Sequence, residues 1–187
     1  MAKLIYVTNV SLDGYIEDEH GAFDWLPMDD EVFVRYTDLL RSAGTFLYGR
    51  RLYESMAVWE TDPALAARSD LTADFASAWQ AASKVVYSTT LDAVSTADTR
   101  LERRFDPAAV RELKATASSD LTVGGANLAT QAFKAGLVDE CQLLVWPIVV
   151  GGGKPGLPTG IRANLELLDE RRFGNGVVHL RYRPLGQ

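Results

Sequence analysis

The chain has 187 residues, of which 47% are hydrophobic and 24% are charged. This length and composition are those of an ordinary globular protein, so we expect one domain over residues 1–187 and neither disorder nor a fibrous repeat. The formal net charge of −6 argues against general nucleic-acid binding, because proteins that bind nucleic-acid phosphates usually carry a surplus of positive charge.

Membrane insertion and a structural metal site are both disfavoured. The apolar runs are too short to cross a membrane, and one of the longest contains Gln142 and Pro147. The first residues lead directly into a strand-like segment without the pattern of a secretory signal, so we expect a cytoplasmic protein. One cysteine and two histidines cannot form the Cys/His cluster of a zinc site, so we expect no metal. Cys141 lies in an apolar run, which favours a buried, inert side chain.

Strands and helices alternate in the predicted N-terminal part of the chain. Residues 4–10 are rich in β-branched and aromatic side chains and end at turn residues, which predicts a buried strand. A loop that includes 23–27 follows. Apolar positions then recur at helical spacing over 29–41, with acidic residues in the first turn. A short strand is predicted at 45–48 and a helix at 50–56.

The alternation continues in the middle of the chain. An alanine-rich amphipathic segment lies within 62–83, and its spacing predicts a helix followed by a buried strand at 84–87. Residues 99–105 are predicted as a short strand. Pro107 suits the first turn of a helix that ends near residue 116.

The remaining segments predict the fold class. Gly136 suits a helix C-terminal cap, and Gly-Asn-Gly at 174–176 suits a hairpin turn. Strands that alternate with helices, followed by a terminal antiparallel hairpin, predict an α/β fold with a mixed, mostly parallel central sheet and flanking helices. The strands are predicted at 121–123, 140–146, 165–173 and 177–183, the helix at 126–135, and a proline- and glycine-rich loop at 149–160.

Three strand exits carry residues that suit a ligand site: Asp-Gly at 13–14, Gly-Arg-Arg at 49–51 and Gly-Gly at 124–125. In an open α/β sheet the ligand crevice forms at the strand ends. A glycine between a strand and a helix lets the backbone approach a phosphate, and the helix N-terminus supplies N–H donors. Each motif alone also fits an ordinary turn or a solvated arginine.

Five segments in order carry a family resemblance: Ser-Leu-Asp-Gly-Tyr-Ile at 11–16, Trp-Leu-Pro at 25–27, Tyr-Gly-Arg-Arg-Leu-Tyr-Glu at 48–54, Val-Gly-Gly-Ala at 123–126 and Val-Val-Gly-Gly-Gly at 149–153. Together they resemble the dihydrofolate reductase superfamily, which includes the reductase domain of riboflavin biosynthesis and many stand-alone reductase-like proteins. The triple glycine resembles the riboflavin branch. The resemblance spans nearly the whole chain and implies a dihydrofolate-reductase-like fold.

The resemblance implies an oxidoreductase whose glycine turns bind NADPH. The adenosine end of NADPH would lie beside the first glycine turn, with Arg50 near the 2′-phosphate, which would select NADPH over NADH. The amides of the second glycine turn would face the pyrophosphate, and in the family the peptide bond between these two glycines is often cis. The residues implied at this part of the cofactor are Gly49, Arg50, Arg51, Ser88, Thr89, Gly124, Gly125, Ala126 and Asn127.

The nicotinamide pocket is implied by the same resemblance. Asn9 and Ile16 would line it, and the loop 11–25 would act as a mobile cover that excludes water during hydride transfer. A plain alternative is that Ile16 and Trp25 are packing residues beneath a surface loop. Trp59, Trp79 and Trp146 are expected to be core or rim packing rather than substrate-stacking residues.

Asp29 is the candidate catalytic residue. In dihydrofolate reductases a carboxylate at the start of the first helix, after a Trp-x-x-Pro-like stretch, orients the pterin and helps its protonation. Asp29 follows Pro27 by the matching step, although the spacing after Trp25 is one residue shorter. Asp29, Asp30 and Glu31 are consecutive, and any of them could instead cap the helix or stabilise its first turn.

The leading hypothesis is an NADPH-dependent hydride transfer to a small heterocyclic substrate, pterin-like or aminopyrimidine-like. One alternative is the riboflavin-pathway 5-amino-6-(5-phosphoribosylamino)uracil reductase, which requires a basic residue such as Lys154 or Arg162 in the substrate half of the cleft. Another is a catalytically idle nucleotide-binding scaffold, which an Asp29 turned away from the cleft would favour. Relatives commonly pair, so we expect a homodimer. The apolar segment 140–150 would be either central in the sheet or at the subunit interface.

Overall fold

The computed structural model describes residues 1–27 and 29–186, in which strands and helices alternate. The strands are β1 (Leu4–Ser11), β2 (Tyr15–Glu17), β3 (Ala43–Gly49), β4 (Ser83–Tyr87), β5 (Thr99–Glu102), β6 (Asp120–Gly124), β7 (Glu140–Trp146), β8 (Lys154–Pro155), β9 (Leu165–Arg172) and β10 (Val178–Pro184). The helices are α1 (Asp30–Arg41), α2 (Arg50–Met56), α3 (Val58–Thr61), α4 (Pro63–Ala66), α5 (Asp70–Ala81), α6 (Pro107–Thr116) and α7 (Ala126–Lys134).

Eight strands form one sheet in the order β5-β4-β3-β6-β1-β7-β10-β9. The strands from β5 to β7 are parallel, and β10 is antiparallel to both β7 and β9. This confirms the predicted mixed, mostly parallel sheet with a terminal hairpin. β7 lies between β1 and β10, so it takes the central position of the two that the sequence allows. The carboxyl ends of the parallel strands meet at one edge, where a crevice is expected.

Both faces of the sheet are covered by helices. In β1, Leu4 and Tyr6 belong to the core on the α7 side, whereas Ile5 and Val7 belong to the core on the α1 side. This alternation follows from the two-residue period of a strand. A parallel sheet buried on both faces needs strands that are apolar throughout, which explains the continuous apolar runs of the sequence. Among the described residues, no helix combines the length and the apolar character that crossing a membrane requires.

Cys141 lies fully buried in β7, as its apolar surroundings in the sequence predict. Burial raises the pKa of its thiol to about 12. The thiol therefore stays protonated near neutral pH, and a protonated thiol is a poor nucleophile. The structure thus supports the inert role expected of this side chain.

The small second sheet is a part of the fold that the sequence does not predict, as is the short helix α3. β2 pairs with β8, with Tyr15 opposite Pro155 and Glu17 opposite Lys154. Gly153 has φ +128°, and a Cβ on it would collide with the backbone of residues 17–18, so only glycine permits this close approach. The loop after β1 is thereby joined to the glycine-rich loop after β7.

Candidate functional site

A first cavity, of about 660 Å³, lies at the carboxyl ends of β3, β4 and β6. Tyr48 pairs with Gly124 across β3 and β6, so the two glycine turns are neighbours, and a Cβ built on Gly125 would lie 3.8 Å from the amide nitrogen of Gly49. The wall thus unites segments that are far apart in the sequence. Its described residues are Gly49, Arg50, Arg51, Leu52, Tyr87, Ser88, Thr89, Arg103, Arg104, Phe105, Gly125, Ala126, Asn127, Leu128, Gln131 and Lys154.

The second glycine turn places the start of α7 in this wall. Gly125 is the N-cap of α7, has φ +92° and provides no side chain to cap the helix. The first amides of a helix have no partner within the helix, so this turn can present N–H donors to a phosphate. Gly124 lies behind the wall, where a Cβ would collide with Leu52. The peptide bond between the two glycines is trans, in contrast to the cis form often found in the resembling family.

Arg50 already has partners in the structure. Its Nε donates a 2.8 Å hydrogen bond to Glu54, one turn along α2, and its Nη1 donates a 2.8 Å hydrogen bond to the Thr90 hydroxyl. The hydroxyl of Ser88, next to Thr89 in the same wall, accepts hydrogen bonds from the amides of residues 90 and 91. Ser88 therefore stabilises the turn, the alternative role that the sequence left open.

Arg51 and Lys154 share an acidic partner. The carboxylate of Glu17 lies 3.7 Å from Arg51 Nη1 and 3.4 Å from Lys154 Nζ, and its side chain is only 19% exposed. Glu17 belongs to β2 and Lys154 to β8, so the small second sheet closes one side of the first cavity.

Arg103 and Arg104 are wall residues that the sequence analysis does not identify. The predicted strand at 99–105 ends at Glu102 in the structure, and the following residues turn into the first cavity. Arg103 Nη1 donates a 3.2 Å hydrogen bond to the carbonyl oxygen of Ser88.

Tyr87 lies in the same wall. Burial raises the pKa of Tyr87 to about 12, so its hydroxyl stays neutral near pH 7.

A second cavity, of about 610 Å³, lies at the ends of β1 and β7 and against α1. Aromatic rings dominate its wall, and Phe75 is their centre: its ring centroid is 4.9 Å from that of Phe33 and 4.5 Å from that of Trp59. Burial raises the pKa of Tyr36 to about 12. The described wall residues are Asn9, Ala22, Phe23, Asp24, Leu26, Pro27, Asp29, Val32, Phe33, Tyr36, Met56, Trp59, Phe75 and Trp146.

Asp29 both caps α1 and faces the second cavity. Its Oδ1 accepts a 3.0 Å hydrogen bond from the amide of Val32, while its half-buried side chain forms part of the wall. Asp30 and Glu31 are outside this wall, and Glu31 instead accepts hydrogen bonds from Arg171 and the Gly174 amide. The structure therefore separates the three consecutive acids and leaves Asp29 as the one at the cavity.

Several other sequence candidates have definite positions. Asn9 lines the second cavity, and its Oδ1 accepts a 2.9 Å hydrogen bond from Trp146 Nε1. Ile16 is absent from both walls and packs against the core near Val10. Trp25 packs against the core on the α1 side, as in the plain alternative.

Five further residues considered in the sequence analysis are the remaining three tryptophans and the two basic residues proposed for the substrate half. Trp79 is fully buried in the core, whereas Trp59 and Trp146 line the second cavity. Lys154 lines the first cavity rather than the second, and Arg162 is exposed outside both walls.

Helix α2 connects the two cavities. Leu52 lies in the wall of the first and Met56 in the wall of the second. Four residues of helix span about 6 Å along the axis, so the two sites are close neighbours along one sheet edge. An extended ligand that fills the first cavity could therefore reach the second.

Comparisons with known proteins agree with this architecture. A sequence profile described as the RibD C-terminal domain matches residues 2–179. The uncharacterized protein YyaP of Bacillus subtilis is 32% identical over 190 residues, which cover 96% of this chain and 94% of that protein.

Solved structures share the fold at low sequence identity. A putative riboflavin biosynthesis protein from Shewanella sp. PV-4 matches with a TM-score of 0.76 and 20% identity, over 100% of both chains. A diaminohydroxyphosphoribosylaminopyrimidine deaminase/5-amino-6-(5-phosphoribosylamino)uracil reductase from Thermotoga maritima matches with a TM-score of 0.64 and 14% identity, over 98% of this chain and 57% of that one.

Proposed function

The chain belongs to the RibD C-terminal domain family, and on this premise we propose that it is an NADPH-dependent reductase that transfers a hydride to a small heterocyclic substrate. One observation carries the proposal. In a protein of net charge −6, the two glycine turns meet in one cavity that also holds five cationic side chains. A local positive pocket in an acidic protein favours a phosphorylated ligand held by a few placed groups.

The first cavity offers matched donors for a phosphorylated dinucleotide. We assign the pyrophosphate to the amides of Gly125, Ala126 and Asn127 at the start of α7, and the adenosine end to Arg50 and its neighbours. Gly49 and Thr89 complete this part of the wall. Gly124 lies outside this wall and lets α2 pack closely on β6, and Ile16 is a packing residue outside both walls.

The second cavity takes the nicotinamide end and the substrate in this proposal. Bound NADPH supplies a hydride for a C=N or C=O carbon, and the heteroatom of that bond then requires a proton. Asp29 is the acidic group in the cavity wall whose position suits orienting the substrate or delivering that proton, and Asn9 is a polar neighbour. An idle scaffold would be favoured by an Asp29 directed away from the cleft, and the observed position does not support it.

NADPH binding tests this function directly. Trp59 and Trp146 line the second cavity, so a nicotinamide that enters it should quench tryptophan fluorescence. We expect saturable quenching by NADPH and weaker binding of NADH, with isothermal titration calorimetry as an independent measure. A correctly folded protein that binds no NADPH at millimolar concentration would contradict the proposal.

We also propose a homodimer, as the family resemblance implies. β9 is an edge strand of the large sheet, and Leu167 on it is 51% exposed. An edge strand with exposed apolar side chains is a surface suited to pairing with a second chain. Sedimentation equilibrium should give twice the chain mass, and a monomer at all accessible concentrations would refute this part.

A further inference from the structure

The two neighbouring cavities differ in charge. The wall of the first contains Arg50, Arg51, Arg103, Arg104 and Lys154. Among the described residues of the second wall there is no lysine or arginine, and the groups that carry charge near neutral pH are carboxylates. Those carboxylates belong to Asp24 and Asp29. Positive charge is thus confined to one half of the crevice.

A phosphate group on the substrate does not suit the second cavity. Phosphate binding in proteins relies on arginine, lysine or clustered N–H donors, and burial of an anion without such partners is costly. Here the nearest charged groups in the wall would repel a phosphate. The two basic residues that a phosphoribosyl substrate would call for, Lys154 and Arg162, lie in the first wall and outside both walls, respectively.

The remaining wall indicates what the cavity does accept. The half-buried rings of Phe33 and Trp59 form an aromatic surface that packs on the buried ring of Phe75, with centroids 4.5–6.2 Å apart. Such surfaces bind planar rings by offset or edge contact, with a few polar groups fixing the orientation. Asn9 and Asp29 are those polar groups here.

From this segregation of charge we propose that the substrate is a phosphate-free planar aromatic or heteroaromatic molecule that is neutral or positively charged. The inference rests on the proposed function, because it takes the second cavity as the substrate half of a reductase. It separates this chain from a reductase of phosphoribosyl compounds such as the one that the Thermotoga maritima protein is named for.

A matched pair of probes tests the proposal. 1-Naphthol and 1-naphthyl phosphate share one ring system and differ in the phosphate. Both are titrated at low ionic strength into protein saturated with NADPH, which blocks the basic first cavity. We expect 1-naphthol to bind at least about tenfold more tightly, because the wall carboxylates repel the phosphate dianion. Equal or tighter binding of the phosphate, or no binding of either probe, overturns the proposal.

Two acids one residue apart provide matched variants. Asp29→Asn removes one of the two charges in the wall and keeps an amide oxygen that can cap α1. Asp30→Asn removes the same charge outside the wall. The preference for 1-naphthol should fall by about threefold or more in Asp29→Asn and by less than about twofold in Asp30→Asn, because screening weakens the more distant exposed charge. Identical effects of the two substitutions would contradict the role of the wall charge.

A third variant tests the proposal through a gain of phosphate binding instead of a loss of binding. Met56→Lys places an ammonium group in the second wall, at the end of α2. It should bring the affinity for 1-naphthyl phosphate to at least that for 1-naphthol, and an unchanged ratio in a folded variant counts against the proposal.

Titration of 1-naphthol alone into protein without NADPH separates the two proposals, because the open first cavity would also bind the phosphate probe. Binding of 1-naphthol that is lost in a folded Trp59→Ala variant, with no NADPH binding at all, would remove the proposed reductase and leave the character of the second cavity intact. NADPH binding combined with a preference for the phosphate would do the reverse.

Discussion

Arg50 shows how the surroundings of one side chain change what it can do. The sequence places an arginine directly after a glycine turn, and the structure shows its guanidinium shared between Glu54 and Thr90. Glu54 is about half exposed, so this ion pair contributes little to stability. In the proposed cofactor site, its effect would be on ligand binding, since it holds the guanidinium at the first cavity while partly neutralising it.

Substitution of Arg50 should separate the two nicotinamide cofactors. We expect Arg50→Ala to weaken NADPH binding about 10- to 100-fold and to leave NADH nearly unchanged, because only NADPH carries the 2′-phosphate that a guanidinium fork suits. Arg100→Ala is the control, since Arg100 is an exposed arginine on β5 that pairs with Glu102 outside the first wall. Calorimetric titration gives both affinities, and equal losses for NADPH and NADH would show that Arg50 does not recognise the 2′-phosphate.

Helix α7 is bounded by two glycines with positive φ, Gly125 at +92° before it and Gly136 at +63° after it. Only the first lies in the cavity wall. Alanine at either position forces an L residue into a conformation that it rarely adopts, which costs about 1–3 kcal/mol. The two positions therefore form a matched pair at opposite ends of one element.

Both alanine variants should lose stability, but only one should lose cofactor binding. We expect Gly125→Ala and Gly136→Ala each to lower the free energy of unfolding by about 1–3 kcal/mol in urea denaturation. Gly125→Ala should in addition weaken NADPH at least about tenfold, because the strain at the N-cap redirects the first amides of α7. Comparable NADPH affinities of the two folded variants would argue against a phosphate site at this helix start.

Elements with a clear period or cap could be predicted from the sequence, and the structure confirms them within a few residues. Helix α1 has both a heptad-like apolar pattern and the acid at 29 that caps it, so its start is predicted to within one residue. Strands β2 and β8 have three and two residues, too few for any period, and pair across more than a hundred positions of sequence. No local signal identifies such a pair.

The cavity walls show the same limit. Glycine turns can be recognised in the sequence because their backbone conformation restricts the residue type. Arg103 and Arg104 carry no such signal, and they reach the first cavity only because β5 is the outer neighbour of β4 in the sheet. The aromatic rings of the second cavity look in the sequence like the apolar face of α1 and α5, and only their spatial arrangement distinguishes a cavity wall from a core.

At the scale of the whole molecule, a buried polar network limits stability at low pH. His179 is 1% exposed, and its Nε2 lies 3.0 Å from Gln142 Oε1. Gln142 Nε2 in turn donates a 2.6 Å hydrogen bond to Glu140, which also accepts from Arg181. Burial and two nearby arginines lower the pKa of His179 to about 4. The charged groups that affect it are Arg35, Arg181, Asp169 and Glu140.

Acidification should therefore destabilise the fold through His179. The folded-state pKa of about 4 is below the ordinary value of 6.5, so the unfolded chain takes up the proton first. Stability is complete above pH 6.5 and is lost as the pH falls toward 4, by about 2 kcal/mol between pH 7.5 and pH 5. Urea denaturation at both pH values measures this loss. His179→Gln, which keeps a donor toward Gln142, should reduce it, and an unchanged pH dependence would assign it to other groups.

Glu17, in the small second sheet, should affect how tightly the first cavity binds a phosphate. The carboxylate of Glu17 already pairs with Arg51 and Lys154. A phosphate that binds these two cations must therefore first displace the carboxylate. In the proposed site we therefore expect the dinucleotide to bind less tightly than the cations alone would allow, and the returning carboxylate to speed its dissociation. Glu17→Gln should tighten NADPH about three- to tenfold, chiefly through a slower dissociation rate in stopped-flow measurements. Weaker binding would mean that Glu17 supports the ligand rather than competing with it.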